Sequence, residues 1–254
     1  MLNNIPQVTK NLLIINILVF VFSFVLKSKG IDLNALLSTH SIGSPLFQPF
    51  QVVTHMFAHA DFFHIFMNMW LFIMLGGYLE RLWGPKRFFI FFLLCGFGAF
   101  ILQNVISAYE LYKLKSAISS SPRYDLSTVN YYIKNNNIET GVNNLMAHYH
   151  LNSLPPLLYN YISSAYSSML GASGAVFGIL AAFAILFPNQ EFLLYFAIPV
   201  KAKYLVGVYF IFEVYMAIQN NPSDQVAHLA HVGGGIMGAI IVLFWRRTDR
   251  QNFY

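Results

Sequence analysis

Three apolar stretches of the sequence each carry polar groups that can take part in acyl transfer. His64 and Asn68 stand in the first stretch, Ser173 lies among glycines in the second, and His231 stands in the third. A serine hydroxyl becomes an effective nucleophile when a base removes its proton, and a neutral imidazole can act as that base. The residue types therefore predict nucleophilic catalysis, with Ser173 as the nucleophile and His231 as its base.

The same stretches offer hydrogen-bond donors for the oxyanion that forms when a hydroxyl attacks a carbonyl group. His64 and Asn68 are four residues apart, so on a helix their side chains share one face. Backbone N–H groups near Ser173 add to these donors if Ser173 opens a helix. Gly171 and Gly174 allow the backbone there to come close to a substrate. We therefore predict an oxyanion hole formed by His64, Asn68 and the amide of Ser173.

No carboxylate is apparent beside these residues in the sequence. Glu213, in a later apolar stretch, is the nearest candidate, and no spacing rule brings it to His231. The prediction is therefore a Ser–His dyad and not a triad. A second histidine, His228, precedes His231 by three residues and is assigned a supporting role.

The composition places these stretches in a membrane. Hydrophobic residues make up 57% of the 254 positions and charged residues 10%, whereas a soluble domain carries about 25% charged residues. Such a chain is typical of a helical membrane protein, because a helix satisfies its own backbone hydrogen bonds in lipid. We predict an all-α fold, a polytopic bundle of six transmembrane helices. The six apolar runs cover approximately 11–26, 62–79, 87–108, 169–187, 204–219 and 226–245.

The whole chain, 1–254, is predicted to be one domain, with a polar insertion at about 109–165 between the third and fourth spans. Most Lys and Arg residues outside the insertion fall in loops that share one side of the membrane if six spans alternate. Since cytoplasmic loops carry the excess of basic residues, both termini are predicted to be cytosolic and the insertion extracytoplasmic. The formal charge of +5 is not gathered in one patch, so nucleic acid is not a predicted partner.

The candidate residues are expected to lie at one height in the bilayer. Ser173 and His231 each stand 15 residues before the cytosolic end of their span, which corresponds to about 22 Å along a helix. His64 and Asn68 fall in the same layer, about 24 and 18 Å from the end of the second span. Ionisable groups are costly at this depth, so their shared height favours a common site.

Two pairs of glycines predict which spans touch. Gly174 and Gly178 in the fourth span, and Gly234 and Gly238 in the sixth, each form a small-xxx-small face. Such faces let helix backbones approach closely. We therefore expect the fourth and sixth spans to pack against each other and to bring Ser173 to the imidazole of the sixth span.

Together these motifs resemble those of the rhomboid family of intramembrane serine proteases. They occur in the second, fourth and sixth spans as His64-x-x-x-Asn68, Gly171-Ala172-Ser173-Gly174 and His231-x-x-Gly234-x-x-x-Gly238. The turn between the second and third spans also resembles that of the family, in Glu80-x-x-Trp83-Gly84 followed by Lys86-Arg87. The resemblance covers the six-helix core and leaves out the insertion.

The resemblance implies a serine endopeptidase whose Ser173–His231 dyad lies in a water-filled cavity open to the outside. Its substrates would be single-pass transmembrane proteins, cut in or near the transmembrane segment. They would enter laterally past the fifth span, with the following loop as a lid. The resemblance implies no metal and no other cofactor, and it implies residence in the lipid bilayer of a bacterial inner (cytoplasmic) membrane.

The family pattern also distinguishes the two histidines of the sixth span. His231 has glycines three and seven residues later, whereas His228 has His231 and Gly235 there, so His231 is preferred as the base. Four residues after the serine, where the family often has a tyrosine stacked on the base, the sequence has Phe177. Phenylalanine keeps the ring and loses the hydroxyl, so activity is expected to survive.

Two alternatives belong to other functional classes. Histidine is the commonest metal ligand, so a metal- or haem-binding membrane protein is the first alternative. Its candidate ligands are His55, His59, His64, His228 and His231. The second alternative is a catalytically inactive relative that binds membrane clients, although such relatives usually lack the serine or the histidine. The sequence gives no indication of an oligomeric state.

Overall fold

The computed structural model describes residues 4–194, 198–219, 224 and 226–248. Most of these residues are helical. The helices are α1 Gln7–Lys27, α2 Leu33–Leu37, α3 Gln51–Thr54, α4 Phe62–Leu71, α5 Gly77–Trp83, α6 Pro85–Ser119, α7 Leu126–Asn135, α8 Ile138–His148, α9 Pro156–Tyr166, α10 Ser173–Leu186, α11 Ala202–Gln219 and α12 His228–Thr248. A 3₁₀ turn, His55–Phe57, follows α3, and a π-helical turn, Phe72–Gly76, joins α4 to α5.

Two antiparallel strand pairs accompany the helices. Strand β1, Thr39–His40, pairs with β2, Ser168–Met169, and β3, Glu191–Leu194, pairs with β4, Ile198–Lys201. Neither pair was expected from the sequence, because strands of two to four residues are too short to show the alternation typical of a strand. The fold is therefore mostly helical.

Four helices among the described residues are long and apolar enough to cross a membrane. They are Gln7–Lys27, Phe62–Trp83, Pro85–Ser119 and His228–Thr248. Helix α10 is apolar but has only 14 residues. The prediction of a helical membrane protein is confirmed at this level.

Several helix boundaries differ from the predicted spans, and two of the differences have a local cause. Helix α6 runs to Ser119, eleven residues beyond the predicted end at 108, because no glycine or proline interrupts the sequence before Pro122. Helix α10 begins at Ser173 and not at 169, because Gly171 has a φ of 122°, which lies outside the helical region. The nucleophile candidate is therefore the first residue of its helix.

The described residues group into two compact units. The first contains the described residues up to Leu37, the segment Val52–Gln103 and the described residues from Leu170 onward. Its apolar core draws on α1, α4, α5, α6, α10 and α12. Helix α11 contributes less, since it buries only three side chains, Ala202, Val206 and Glu213.

The second unit contains Ser38–Gln51 and Asn104–Met169, and it has an apolar core of its own. Three short helices of the predicted insertion, α7, α8 and α9, supply most of that core. The side chain of Asp125 caps α7 by accepting from the Thr128 amide at 2.8 Å, and Asn137 caps α8 in the same way at Thr140. The insertion is thus a folded helical element.

The turn between α5 and α6 uses the residues of the predicted motif. Gly84 has a φ of 80°, a conformation that glycine adopts without strain, and its amide donates to the Glu80 carbonyl at 2.8 Å. Trp83 packs edge-on against Trp245 of α12, with ring centroids 5.4 Å apart. The motif therefore ends one helix, starts the next and fixes both against α12.

Helices α10 and α12 pack with their backbones in contact, as the glycine pairs predicted. A Cβ atom on Gly234 would lie 1.9 Å from the carbonyl oxygen of Gly174, and one on Gly238 would lie 2.5 Å from that of Gly178. No larger residue fits at these positions without separating the helices. This prediction is confirmed, and the close packing sets the separation of the groups at the top of both helices.

Candidate active site

Ser173 and His231 meet where α10 and α12 are closest. Ser173 begins α10, and His231 lies in the first turn of α12, three residues before Gly234. The His231 Nε2 atom is 2.9 Å from the Ser173 Oγ atom, a hydrogen-bond distance for a nucleophile and its base. His231 is 8% exposed, whereas Ser173 is more open. The serine is therefore accessible while its partner is held in place.

The ring of Phe177 fixes the plane of the His231 imidazole. The two rings are stacked, with centroids 4.2 Å apart and an interplanar angle of 9°. The Phe177 ring also packs against the rings of Tyr209 and Phe210 of α11, at centroid distances of 5.0 and 5.6 Å. Because a stacked ring cannot tilt without losing contact, these residues restrict His231 to an orientation that faces Ser173.

His64 approaches the site through a gap that Gly171 leaves open. A Cβ atom on Gly171 would lie 2.7 Å from His64 Nε2 and 3.6 Å from Ser173 Oγ. The imidazole edge of His64 and the serine hydroxyl therefore face the same small space. The Asp61 side chain caps α4 by accepting from the backbone amide of His64 at 2.9 Å, which fixes the position of His64 at the start of this helix.

Asn68 lies one helical turn below His64, and its side-chain amide turns back on its own helix. Its Nδ2 atom donates to the carbonyl oxygen of His64 at 3.0 Å. An amide group carries two N–H donors, so one remains for another acceptor. The structure thus brings His64 directly to the space beside Ser173, whereas the contact given for the Asn68 side chain is with its own helix backbone.

Two histidines before α4 support this arrangement. The carbonyl oxygen of His55 accepts from the Gly171 amide at 2.8 Å, which anchors the loop before Ser173. His59 is 1% exposed and packs edge-on against His64, with ring centroids 5.0 Å apart. Burial, and then the proximity of His64, lower the pKa of His59 to about 3, so its ring is neutral. Both residues have positions that suit a structural role.

Glu213 changes the expected composition of the site. Its Oε2 atom is 2.9 Å from His231 Nδ1 and 2.6 Å from His228 Nδ1, and it is 2% exposed. The sequence did not place Glu213 in the site, because the length of the segment between α11 and α12 does not fix the register of these helices. The one signal in the sequence was that Glu213 is a lone carboxylate in an apolar helix, where an ionisable group is costly and therefore suggests a function.

His228 contacts carboxylates and not the serine. Its Nδ1 atom faces Glu213, and its Nε2 atom is 3.0 Å from the Asp224 Oδ2 atom. Of the two histidines in α12, His231 is therefore the one within hydrogen-bond reach of Ser173. This geometry supports the preference that the glycine spacing gave.

Among the described residues, one group of side chains could hold a metal ion: Glu213, His228 and His231. One potential ligand atom from each lies within 4.8 Å of the others. His55, His59 and His64 do not belong to this set, so the five-histidine site considered above is not assembled among the described residues.

Comparison with known proteins identifies the family. The model of the Rhomboid domain matches residues 46–114 and 131–248, which is more than half of the chain. The chain is also 41% identical over 89 residues to an uncharacterized mitochondrial rhomboid protein of Schizosaccharomyces pombe. That match covers 33% of this chain and 23% of the relative, so the chain spans about a quarter of the relative's length. The match of the domain model shows that this integral membrane protein belongs to the rhomboid family.

Proposed function

We propose that the protein is an intramembrane serine endopeptidase in which Ser173 is the nucleophile and His231 the base. The observation that carries the proposal is the 2.9 Å contact between Ser173 Oγ and His231 Nε2 at the glycine contact of α10 and α12. Membership of a family that includes serine proteases agrees with it. An inactive client-binding relative would have no need of this contact.

In the proposed reaction, Ser173 Oγ attacks the carbonyl carbon of the scissile peptide while its proton passes to His231 Nε2. The carbonyl electrons move onto oxygen and give a tetrahedral oxyanion. As this collapses, the C–N bond breaks and His231 gives its proton to the leaving amine. Water, activated by His231, then hydrolyses the acyl ester on Ser173 and releases the second product.

The proposed oxyanion hole lies beside Gly171. His64 Nε2 borders this space, and the first turn of α10 directs N–H groups toward it, since these groups have no acceptor within their own helix. The Ala60 amide makes a long contact of 3.5 Å with His64 Nδ1. This favours the tautomer in which His64 Nε2 carries the proton and can donate it. Asn68 is proposed to contribute its second N–H.

The proposed bundle has six spans, with α10 and α11 added to the four long helices. Helix α10 spans only about 21 Å, so Ser173 would lie below the outer surface, where water must reach it through a cavity. Helix α11 exposes large apolar side chains, including Val208, Ile211 and Ile218, as a helix facing lipid does. We propose that single-pass transmembrane substrates enter past α11. The following loop, which the resemblance implies as a lid, lies mostly outside the described residues.

The proposed membrane orientation keeps both termini in the cytosol. The proposed location is a bacterial cytoplasmic membrane, although the matched relative is named as mitochondrial. Fractionation of the source cells distinguishes these locations.

The test is cleavage of a panel of transmembrane peptides by the detergent-solubilised protein, with products identified by mass spectrometry. We expect defined cleavage by the wild type, and less than about 10⁻³ of its turnover in Ser173→Ala and His231→Ala. A serine-directed fluorophosphonate should label the wild type and not Ser173→Ala. Equal cleavage by Ser173→Ala would contradict the proposal, and binding of peptides without cleavage or labelling would favour the client-binding function.

A further inference from the structure

The buried carboxylate of Glu213 lies behind the base, on the side opposite the nucleophile. A single atom, Oε2, faces the Nδ1 atoms of both His231 and His228, at 2.9 and 2.6 Å. His228 continues to Asp224 at 3.0 Å. These contacts form a continuous chain from Ser173 through His231, Glu213 and His228 to Asp224, and we call it the polar chain.

The partners of each nitrogen assign the protons in the polar chain. To accept the Ser173 proton, His231 Nε2 must be unprotonated, so Nδ1 carries the hydrogen and donates it to Glu213. Glu213 Oε2 is an acceptor, so His228 Nδ1 also donates to it. With a second carboxylate, Asp224, at its Nε2 atom, His228 carries both ring protons and is an imidazolium.

The charges of this arrangement suit the proposed reaction. In the resting site the two carboxylates and the imidazolium of His228 sum to −1. When His231 takes the Ser173 proton it becomes positive, and the sum is zero. A carboxylate at 2.9 Å in a site almost closed to water stabilises that new charge. It contributes more in the tetrahedral intermediate than in the resting state, as catalysis requires.

The distances favour hydrogen bonds over a shared metal ion. Ligands bound at about 2.0–2.1 Å in a tetrahedral zinc site lie about 3.3 Å from one another. The two N···O distances to Glu213 are 2.6 and 2.9 Å, which are hydrogen-bond lengths to an ionised acceptor.

We propose that Glu213 is a positioning residue that acts through His231, so that the reaction runs on a Ser173–His231–Glu213 triad, with His228 and Asp224 holding the carboxylate. This inference rests on the proposed function. It replaces the dyad that the sequence analysis predicted. Glu213 is the one buried residue in the second half of α11. The proposed role explains why an ionised side chain is found inside an apolar helix.

The test compares Glu213→Gln with Glu213→Asp and with the control Glu191→Gln, an exposed carboxylate on β3. Glutamine keeps the shape and removes the charge. We expect kcat to fall by about 10²-fold or more in Glu213→Gln, with KM changed by less than about threefold, because Glu213 contacts His231 and not the substrate. Glu213→Asp should recover part of kcat, and Glu191→Gln should match the wild type.

A second measurement uses the wild-type protein and does not depend on the folding of a variant. The ¹⁵N resonances of the His231 ring, assigned by their loss in His231→Gln, should show a protonated Nδ1 and a bare Nε2 at neutral pH. The opposite tautomer would overturn the inference, and so would a Glu213→Gln protein with the kcat of the wild type. A stoichiometric metal that is bound by the wild type and lost in Glu213→Gln would overturn it as well.

These results are distinct from a failure of the proposed function. If the wild type cleaves and Ser173→Ala does not, the protease stands, and only the Glu213 results decide the triad. If the wild type neither cleaves nor takes the fluorophosphonate label, the proposed function itself is wrong.

Discussion

Glu80 and Glu213 are both buried glutamates in apolar helices, but their partners differ in kind. Glu80 is 3% exposed and accepts from the amides of Val8 and Thr9 and from the Thr9 hydroxyl, at 2.7–2.8 Å. Glu213 is 2% exposed and faces two imidazole nitrogens. Amides and hydroxyls keep their protons near neutral pH, whereas an imidazole can gain or lose one.

Under the proposed triad, Glu80 is a structural carboxylate and Glu213 a functional one. Glu80 satisfies donors at the first turn of α1, which have no acceptor within that helix. It thereby connects α1 to α5. Glu213 faces groups whose charge changes during proton transfer. Both glutamates are buried, so the proposed distinction rests on whether their partners can exchange a proton and not on burial.

Among the substitutions that test this comparison, Glu80→Gln is expected to have the largest effect on stability. Glutamine places an N–H₂ group against backbone donors and removes the charge from several hydrogen bonds. We expect the free energy of unfolding to fall by about 3 kcal/mol, measured by denaturation in detergent, while kcat per folded molecule stays within about twofold. A loss of kcat with unchanged stability would remove the distinction between the two glutamates.

A smaller effect is expected from Thr9→Val. Valine keeps the shape of the buried threonine and removes one hydrogen bond, from the Thr9 Oγ atom to Glu80 Oε2 at 2.7 Å. A bond to a charged group contributes about 1.5–3 kcal/mol, so we expect a loss of about 1.5 kcal/mol in the same denaturation experiment. The rate of cleavage serves as the control and should not change. Unaltered stability would mean that the amide contacts alone account for the Glu80 interaction.

The smallest effect is expected from Asp224→Asn, at the outer end of the polar chain. Its carboxylate is four contacts from Ser173 and lies near solvent, so we expect kcat to fall by only about threefold. The Val226 amide, and then His228, hold the pKa of Asp224 below its usual range. Its contribution is therefore present at neutral pH and is lost as pH falls through that lowered value. The ratio of wild-type to Asp224→Asn activity should therefore stay constant from pH 4 to 8, a range above that pKa. A loss of kcat equal to that of Glu213→Gln would contradict the expected decline with distance.

Much of the helical core and its packing could be predicted from the sequence. The long apolar runs predicted the membrane helices, because few compact structures satisfy the backbone in lipid. The glycines at 174, 178, 234 and 238 predicted the contact of α10 with α12, since their spacing leaves one face without side chains. That contact explains why Ser173 and His231, far apart in sequence, were expected together.

Other features could not be read from local patterns. The start of α10 depends on the backbone angle of Gly171, and the pairing of β1 with β2 joins segments distant in sequence. The insertion could not be recognised as a folded unit, because its core is assembled from short helices that each bury only a few side chains.

The sequence by itself determined that this is a helical membrane protein of the rhomboid type and which serine and histidine are candidates for chemistry. Membrane insertion and glycine packing depend on composition and on spacing within one helix, and both can be counted along the chain. Only the tertiary structure decided that Glu213 lies behind His231. A hydrogen bond requires two atoms within about 3 Å, and the packing of α11 against α12 sets that distance between residues 18 positions apart.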